Sequence, residues 1–245
     1  LSPESIHGKT CIVTGASRGI GRGCAVALGS AGCRVAVNYR ERAAEAEETR
    51  REIEEAGGEA FVIQADVSVA GDVRRLVDET RERFGPVSIL VNNAGIAIMK
   101  PYYDLTEADW DATLDVNLKS AFLLTQAVLP DMREARWGRI VNVSSNAAFT
   151  GGRVGPHYAA SKAGMHGLTH GYAAALVKEG VTVNSVAPAL IDTDMTTRDL
   201  RTSTPNTPME RFGTVEETVD AVMMMIRNAF ITGQTLLVNG GNYFH

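Results

Sequence analysis

The chain has 245 residues, a net charge of −5, 44% hydrophobic and 22% charged residues, and three cysteines. That fits one large domain with a real core, and the acidic balance weighs against nucleic acid or an anionic membrane as the main partner. Cys11, Cys24 and Cys33 are odd in number and lack framework spacing, which argues against disulfides and for a reducing compartment; no Cys/His cluster has metal-ligand spacing.

The opening LSPESIHGKT has no apolar signal core. No run reaches the roughly 18 apolar residues of a membrane span, so a cytoplasmic protein is expected. The sequence begins at Leu1 rather than Met, which leaves a native start upstream open. Residues 10–14 (TCIVT) read as a short buried strand and 20–31 as a helix closed by Gly32. A second strand at 34–38 (RVAVN) precedes a charged surface helix at 41–56, ended by Gly57 and Gly58. A third strand at 60–64 (AFVIQ), a helix at 73–84 stopped by Gly85 and Pro86, and a fourth strand at 88–91 (SILV) follow. A long helical region is expected from 106 to 133, then a strand at 139–143 (RIVNV), a helix at 158–178 and a strand at 181–186. Residues 192–213 are less regular and lead to a helix at 215–227 and a last strand at 235–238. Within that helix, the run from Val222 to Ile226 reads as core or interface packing.

Short apolar strands alternating with helices signify βαβ units and a parallel sheet. Such strands are buried on both faces, and right-handed crossovers then give a doubly wound sheet with helices on both sides. No linker or repeat divides the chain. The expectation is a single α/β domain over residues 1–245, with a mostly parallel sheet of about seven strands.

The first strand runs into Thr14-Gly15-Ala16-Ser17-Arg18-Gly19-Ile20-Gly21, where a helix starts. Glycines at such a turn let the backbone approach a pyrophosphate, and the helix N-terminus offers it unpaired N–H groups. Further on, Tyr158 stands four residues before Lys162. On a helix the two share one face, and a nearby ammonium favours the phenolate. Ser145 ends the fifth strand, at the sheet edge where ligands bind in doubly wound folds.

The spacing Gly-x-x-x-Gly-x-Gly in TGASRGIG resembles the short-chain dehydrogenase/reductase family. Asp66-Val67, Asn92-Asn93-Ala94-Gly95, Asn117, Ser145, Tyr158, Lys162, Pro188 and Asp192-Thr193-Asp194-Met195 follow in that family's order, from Lys9 to the end of the chain. The resemblance implies a Rossmann fold and a nicotinamide-dependent oxidoreductase, with a cofactor half at residues 8–95 and a catalytic and substrate half at 96–245. It implies that Gly15, Ser17, Arg18, Gly19, Ile20 and Gly21 cradle the cofactor, that Asp66 meets the adenine amine and Val67 its ring, and that Asn93 lies beside the adenosine ribose. Ala94 and Gly95 would line the cleft; Pro188, Ile191 and Thr193 would also contact the cofactor, Thr193 at the carboxamide. An acidic residue ending the second strand would suit NAD and repel a 2′-phosphate. Here that place falls on Tyr39, followed by Arg40, and Arg18 sits in the glycine loop. Two guanidinium groups suit a phosphate dianion, so NADP(H) is expected.

In this family's chemistry Tyr158 is the general acid for carbonyl reduction and the base in reverse. A free tyrosine titrates near 10, and Lys162 with the nicotinamide cation would lower that value. Ser145 would hydrogen-bond the substrate oxygen. Lys162 would also hold the nicotinamide ribose, and Asn117 would support a water relay to the lysine. Ser144 is the rival of Ser145; the family's interval selects Ser145, and strand alternation points the two apart.

The region from His157 to Pro188 and the ending ITGQTLLVNGGNYFH resemble β-ketoacyl-acyl-carrier-protein reductases. These use NADPH to reduce a 3-oxoacyl thioester on an acidic carrier protein or coenzyme A, and they offer the carrier basic residues. Arg136 matches one of them; Glu179, beside Lys178, replaces the other and would repel the carrier. Ala189 stands where a glycine is usual, and the segment 196–213, with Pro205 and Pro208, is short. These departures keep open a reductase of another small ketone, polyol, sugar or ring alcohol. More remotely, a nucleotide-binding regulator without catalysis is conceivable on this fold. The resemblance also implies a homotetramer, joined through the helices after the fourth and fifth strands and through the ending at 230–244.

Overall fold

The computed structural model describes residues 5–193 and 207–244. Asp194, Met195, Pro205 and most of the 196–213 segment lie outside them, as do Leu1 and His245. Each short apolar run forms a strand: β1 (Thr10–Val13), β2 (Arg34–Tyr39), β3 (Glu59–Gln64) and β4 (Val87–Asn92). β5 (Gly138–Val143), β6 (Val181–Pro188) and β7 (Thr235–Val238) complete the set. They make one seven-stranded sheet in the order β3-β2-β1-β4-β5-β6-β7, and every pairing is parallel.

Helices cover both faces. On one side lie α1 (Gly19–Ser30) and α8 (Val215–Arg227). The other side carries α3 (Ala70–Phe84), α5 (Ser120–Glu134) and α7 (Pro156–Leu176). The alternation along β1 shows the division: Cys11 and Val13 join the cluster with α1 and α8, whereas Ile12 joins the cluster with α3, α5 and α7. In the run from Val222 to Ile226 only Met224 points outward; the other four side chains are buried. All three cysteines are buried and free.

Strand order reverses between β1 and β4, so the loops after their carboxyl ends diverge and open a crevice. The expected helix over 106–133 is broken there. It forms α4 (Glu107–Leu114), with a capping box from Thr106 and Asp109, then a π-helical turn at Asp115–Lys119, then α5. Apolar periodicity runs through the break and hides it. The wide turn swings Asn117 inward, where it is fully buried; such turns often mark functional sites. Gly164 on α7 makes this possible, because a Cβ there would lie 2.6 Å from Leu118 Cδ2. A short helix, α6 (Ala147–Thr150), follows β5, and α2 (Ala43–Glu55) links β2 to β3.

Candidate active site

The turn from β1 into α1 forms one wall of a cleft of about 260 Å³. Gly15 and Gly19 take positive φ values of 59° and 56°, a region other residues seldom enter. At Gly21 a Cβ would lie 2.3 Å from the Gly15 carbonyl oxygen, so this glycine lets helix and loop close on each other. The N-terminus of α1 has no side-chain cap and no acidic residue in its first turn, leaving its N–H groups suited to an anion. Thr14 Oγ1 accepts from the Asn93 and Ala94 amides, each at 3.0 Å, and Asn93 Nδ2 donates to the Thr14 and Gly15 carbonyls at 2.9 and 3.1 Å. These bonds clamp the glycine loop to the turn after β4. A dinucleotide's pyrophosphate and adenosine fit this arrangement of donors and clearance.

Gly15, Ser17, Arg18, Gly19, Ile20, Arg40, Asp66, Val67, Asn93, Ala94, Gly95 and Thr193 line the cleft. Tyr39 does not. β2 runs one residue further than expected, and the Tyr39 ring packs on the core. Its place is taken by Asn38, whose Oδ1 accepts from the Gly15 amide at 3.3 Å and whose Nδ2 donates to the Ala65 carbonyl at 3.1 Å. Glu41 and Arg42 also line the cleft. The signal for Asn38 was a lone polar residue closing an apolar strand. Asp66 holds its own turn, its Oδ1 accepting from the Ser68 amide and hydroxyl at 2.9 and 2.6 Å.

A second cavity, of about 380 Å³, shares Ile20, Asn93, Gly95 and Thr193 with the first. Ser145, Tyr158, Lys162, Pro188 and Ile191 line it. α7 begins after Gly155 with Pro156 at its first turn, which brings Tyr158 to the end of β5. Two bonds set the rotation of α7: Ser144 Oγ donates to the Lys162 carbonyl at 3.0 Å, and Asn142 Nδ2 donates to Thr169 Oγ1 at 2.9 Å. Ser144 also hydrogen-bonds His166 Nε2 at 2.8 Å, so this serine braces the helix. Its neighbour Ser145 hydrogen-bonds Tyr158.

Lys162 Nζ lies 5.8 Å from the Tyr158 ring centre and donates to the Val143 carbonyl at 2.9 Å. Burial pulls the Lys162 ammonium down to about 8. It also pushes the Tyr158 phenol up, opposed by the Ser145 hydrogen bond. Burial is the largest influence on the phenol from the protein's own groups; the expected lowering included the charge of a nicotinamide cation, which adds to them. A raised phenol stays protonated at neutral pH, the form a proton donor needs. The Asn117 side chain is fully engaged, Oδ1 accepting from the Ile96 amide at 2.8 Å and Nδ2 donating to the Ile96 carbonyl and Ser161 Oγ at 3.0 and 3.1 Å. It ties the loop after β4 to α7, and no side-chain donor is left for a water relay.

Other residues on this wall were not foreseen. Asn146 Nδ2 donates to Asn242 Oδ1 at 2.7 Å, and Asn239 Nδ2 to Asn146 Oδ1 at 3.3 Å. Asn242 and Arg153 line the cavity with Asn146. Away from it, Glu179 pairs with Arg133, and Arg136 donates to the Lys178 carbonyl at 2.8 Å. The charge expected to repel an acidic carrier is thus held by a neighbouring arginine. Among the described residues no three His, Cys, Asp or Glu side chains stand together as metal ligands, and no helix is long and apolar enough to cross a membrane.

The profile of a family described as short chain dehydrogenase matches residues 9–204. The 3-oxoacyl-acyl-carrier-protein reductase FabG of Staphylococcus epidermidis is 41% identical over 241 residues, covering 96% of this chain and 99% of that protein. A protein of the same enzyme name from Synechocystis is 39% identical over 241 residues, covering 97% and 98%. The crystal structure of a short chain dehydrogenase from Burkholderia cenocepacia, in complex with NADP, superposes with a TM-score of 0.89 at 36% identity, covering 98% of this chain and 99% of that one. Fold, ordered motifs and relatives agree: the chain is an oxidoreductase that belongs to the short-chain dehydrogenase/reductase family.

Proposed function

We propose that the enzyme uses NADPH to reduce a 3-oxoacyl thioester, on acyl carrier protein or coenzyme A, to the 3-hydroxyacyl form. The observation that carries this reading is the meeting of Ser145, Tyr158 and Lys162 on a cavity continuous with the glycine-loop cleft. The relatives named as 3-oxoacyl-acyl-carrier-protein reductases support the substrate class, and Arg18 with Arg40 at the cleft supports the phosphorylated cofactor.

Bound nicotinamide supplies the hydride for the carbonyl carbon. The chain manages the oxygen. Tyr158 transfers its phenolic proton to it, while Ser145 hydrogen-bonds the developing negative charge. Lys162, held by the Val143 carbonyl, orients the nicotinamide ribose and keeps a positive charge beside the phenol. In this reading Asn117 supports a water relay to Lys162 by fixing the loop after β4 against α7, since its own side chain is occupied. Pro188, Ile191 and Thr193, which line the second cavity, would border the nicotinamide.

Carrier recognition follows from Arg136 and Lys178, with Glu179 neutralised by Arg133. A homotetramer is part of the same reading: Trp110 and Phe122 on α4 and α5 and Phe230 and Phe244 near the end of the chain are all exposed, and light scattering at a monomer mass would remove it. A cytoplasmic location also belongs to it. The decisive experiment follows NADPH and NADH absorbance with acetoacetyl-CoA. Fast oxidation of NADPH alone is expected. Turnover of small ketones or sugars but not the thioester would favour the other reading, in which Ala189 and the short 196–213 segment reshape the substrate site.

A further inference from the structure

Arg40 does not face the adenosine end of the cleft as a bare cation. Its Nη2 lies 2.6 Å from Glu41 Oε1 and its Nη1 3.9 Å from Asp66 Oδ2. Arg40, Glu41 and Asp66 line the same cavity. Arg42, a further arginine there, pairs with Glu45 at 3.0 Å. The Arg40 and Glu41 side chains are 47% and 73% exposed, and ion pairs that exposed are weakly held. A phosphate monoester carries close to two negative charges and three acceptor oxygens, so it exchanges for the carboxylate on the guanidinium. Glu41 then remains on the adjacent residue, and two anions compete for one cation.

We propose that Glu41 is a specificity-determining residue, an internal counter-ion of Arg40 that competes with the cofactor's 2′-phosphate and holds the preference for NADPH below what Arg18 and Arg40 alone would set. The inference rests on the NADP(H) reading above. It also gives the acidic residue near the end of β2 a role different from the ribose contact of NAD enzymes: Glu41 acts on a neighbouring side chain.

Titration calorimetry with adenosine 2′,5′-bisphosphate and adenosine 5′-monophosphate tests it without turnover. Glu41→Gln should bind the bisphosphate about two- to fivefold tighter, the range set by exposed ion pairs, and the monophosphate equally well. In an Arg40→Gln background the same substitution should gain clearly less, because the contested cation is gone. An unchanged bisphosphate affinity in Glu41→Gln, or an equal gain in both backgrounds, overturns the inference while leaving NADP(H) use intact. Wild-type protein that does not distinguish the two ligands would instead remove the NADP(H) reading, and this inference with it.

Discussion

The two connected cavities are walled by different kinds of structure. The glycine-loop cleft is lined by strand ends and tight turns: Gly15, Ser17, Asn38, Ala65, Asp66 and Asn93 each follow or close a strand of the sheet. Its lining carries five charged side chains, Arg18, Arg40, Glu41, Arg42 and Asp66. The second cavity adds to strand ends at Val143 and Pro188 a wall of loops and the end of the chain, through Met99, Thr150, Arg153, Leu190, Thr207 and Asn242, and among the described residues its charged lining side chains are Arg153 and Lys162. Backbone groups held by a parallel ladder cannot shift singly, so the first cavity's shape survives side-chain change and its charges tune what binds. The second cavity takes its shape from side chains. There a single substitution alters fit.

The largest effect should come in the second cavity. Tyr158→Phe removes the proposed proton donor and should lower turnover at least about 10²-fold, while NADPH binding, followed by its fluorescence, stays near the wild-type value. Gly21→Ala tests the backbone-built cleft: its methyl would sit 2.3 Å from the Gly15 carbonyl oxygen and 2.4 Å from Asn93 Nδ2. It should cost about 1–3 kcal/mol in urea denaturation, as overpacking does, and weaken the cofactor. A neutral result would mean that the loop relaxes and that the contrast is overstated.

Lys162 makes the contrast pH-dependent. Its folded pKa, about 8, lies below the ordinary lysine value. Between about 8 and 10 Lys162 keeps its proton in the unfolded chain and loses it in the folded one, a contribution to stability that rises with pH, whereas the Cys11 and Cys24 thiols, pushed up by burial, contribute in the opposite direction. The Lys162 contribution is read as a difference: in parallel urea titrations the stability of the wild type relative to Lys162→Met should rise with pH across that window. Arg40→Gln should reduce the kcat/KM preference for NADPH over NADH about tenfold, the scale of a charged hydrogen bond. Equal efficiency with both cofactors in the wild type would remove the basis for that expectation. Smallest should be Asn242→Ala, which leaves Asn146 short of one partner: about 1 kcal/mol in stability, with KM for the thioester affected more than kcat.

The same contrast explains what could be read from residues alone. Gly15 to Gly21, Asp66 and Asn93 were legible because the order of strand, turn and helix dictates them locally. Tyr158 and Lys162 were legible because one helical turn relates them. Asn38 was missed in favour of Tyr39 because β2 runs on to Tyr39, and a shift of one residue along a strand exchanges the face that points at the cleft for the one that packs on the core. The break at Asn117 was invisible because apolar periodicity continues through it. The balance between burial and charge at Tyr158 depends on how much water is excluded, which no local pattern encodes. Asn146 and Asn242 are 96 residues apart, and no spacing rule connects them.

That last pair has a practical consequence. The residue after Ser145 is hydrogen-bonded to the final loop, and Phe149 of α6 stacks on Tyr243 with ring centres 5.2 Å apart. An affinity handle fused beyond Phe244 would therefore pull on the strand end that presents Ser145. For purification or surface immobilisation a handle carried ahead of residues 5–8 would avoid this, because they lead into the amino end of β1, opposite the carboxyl strand ends that border the cavities.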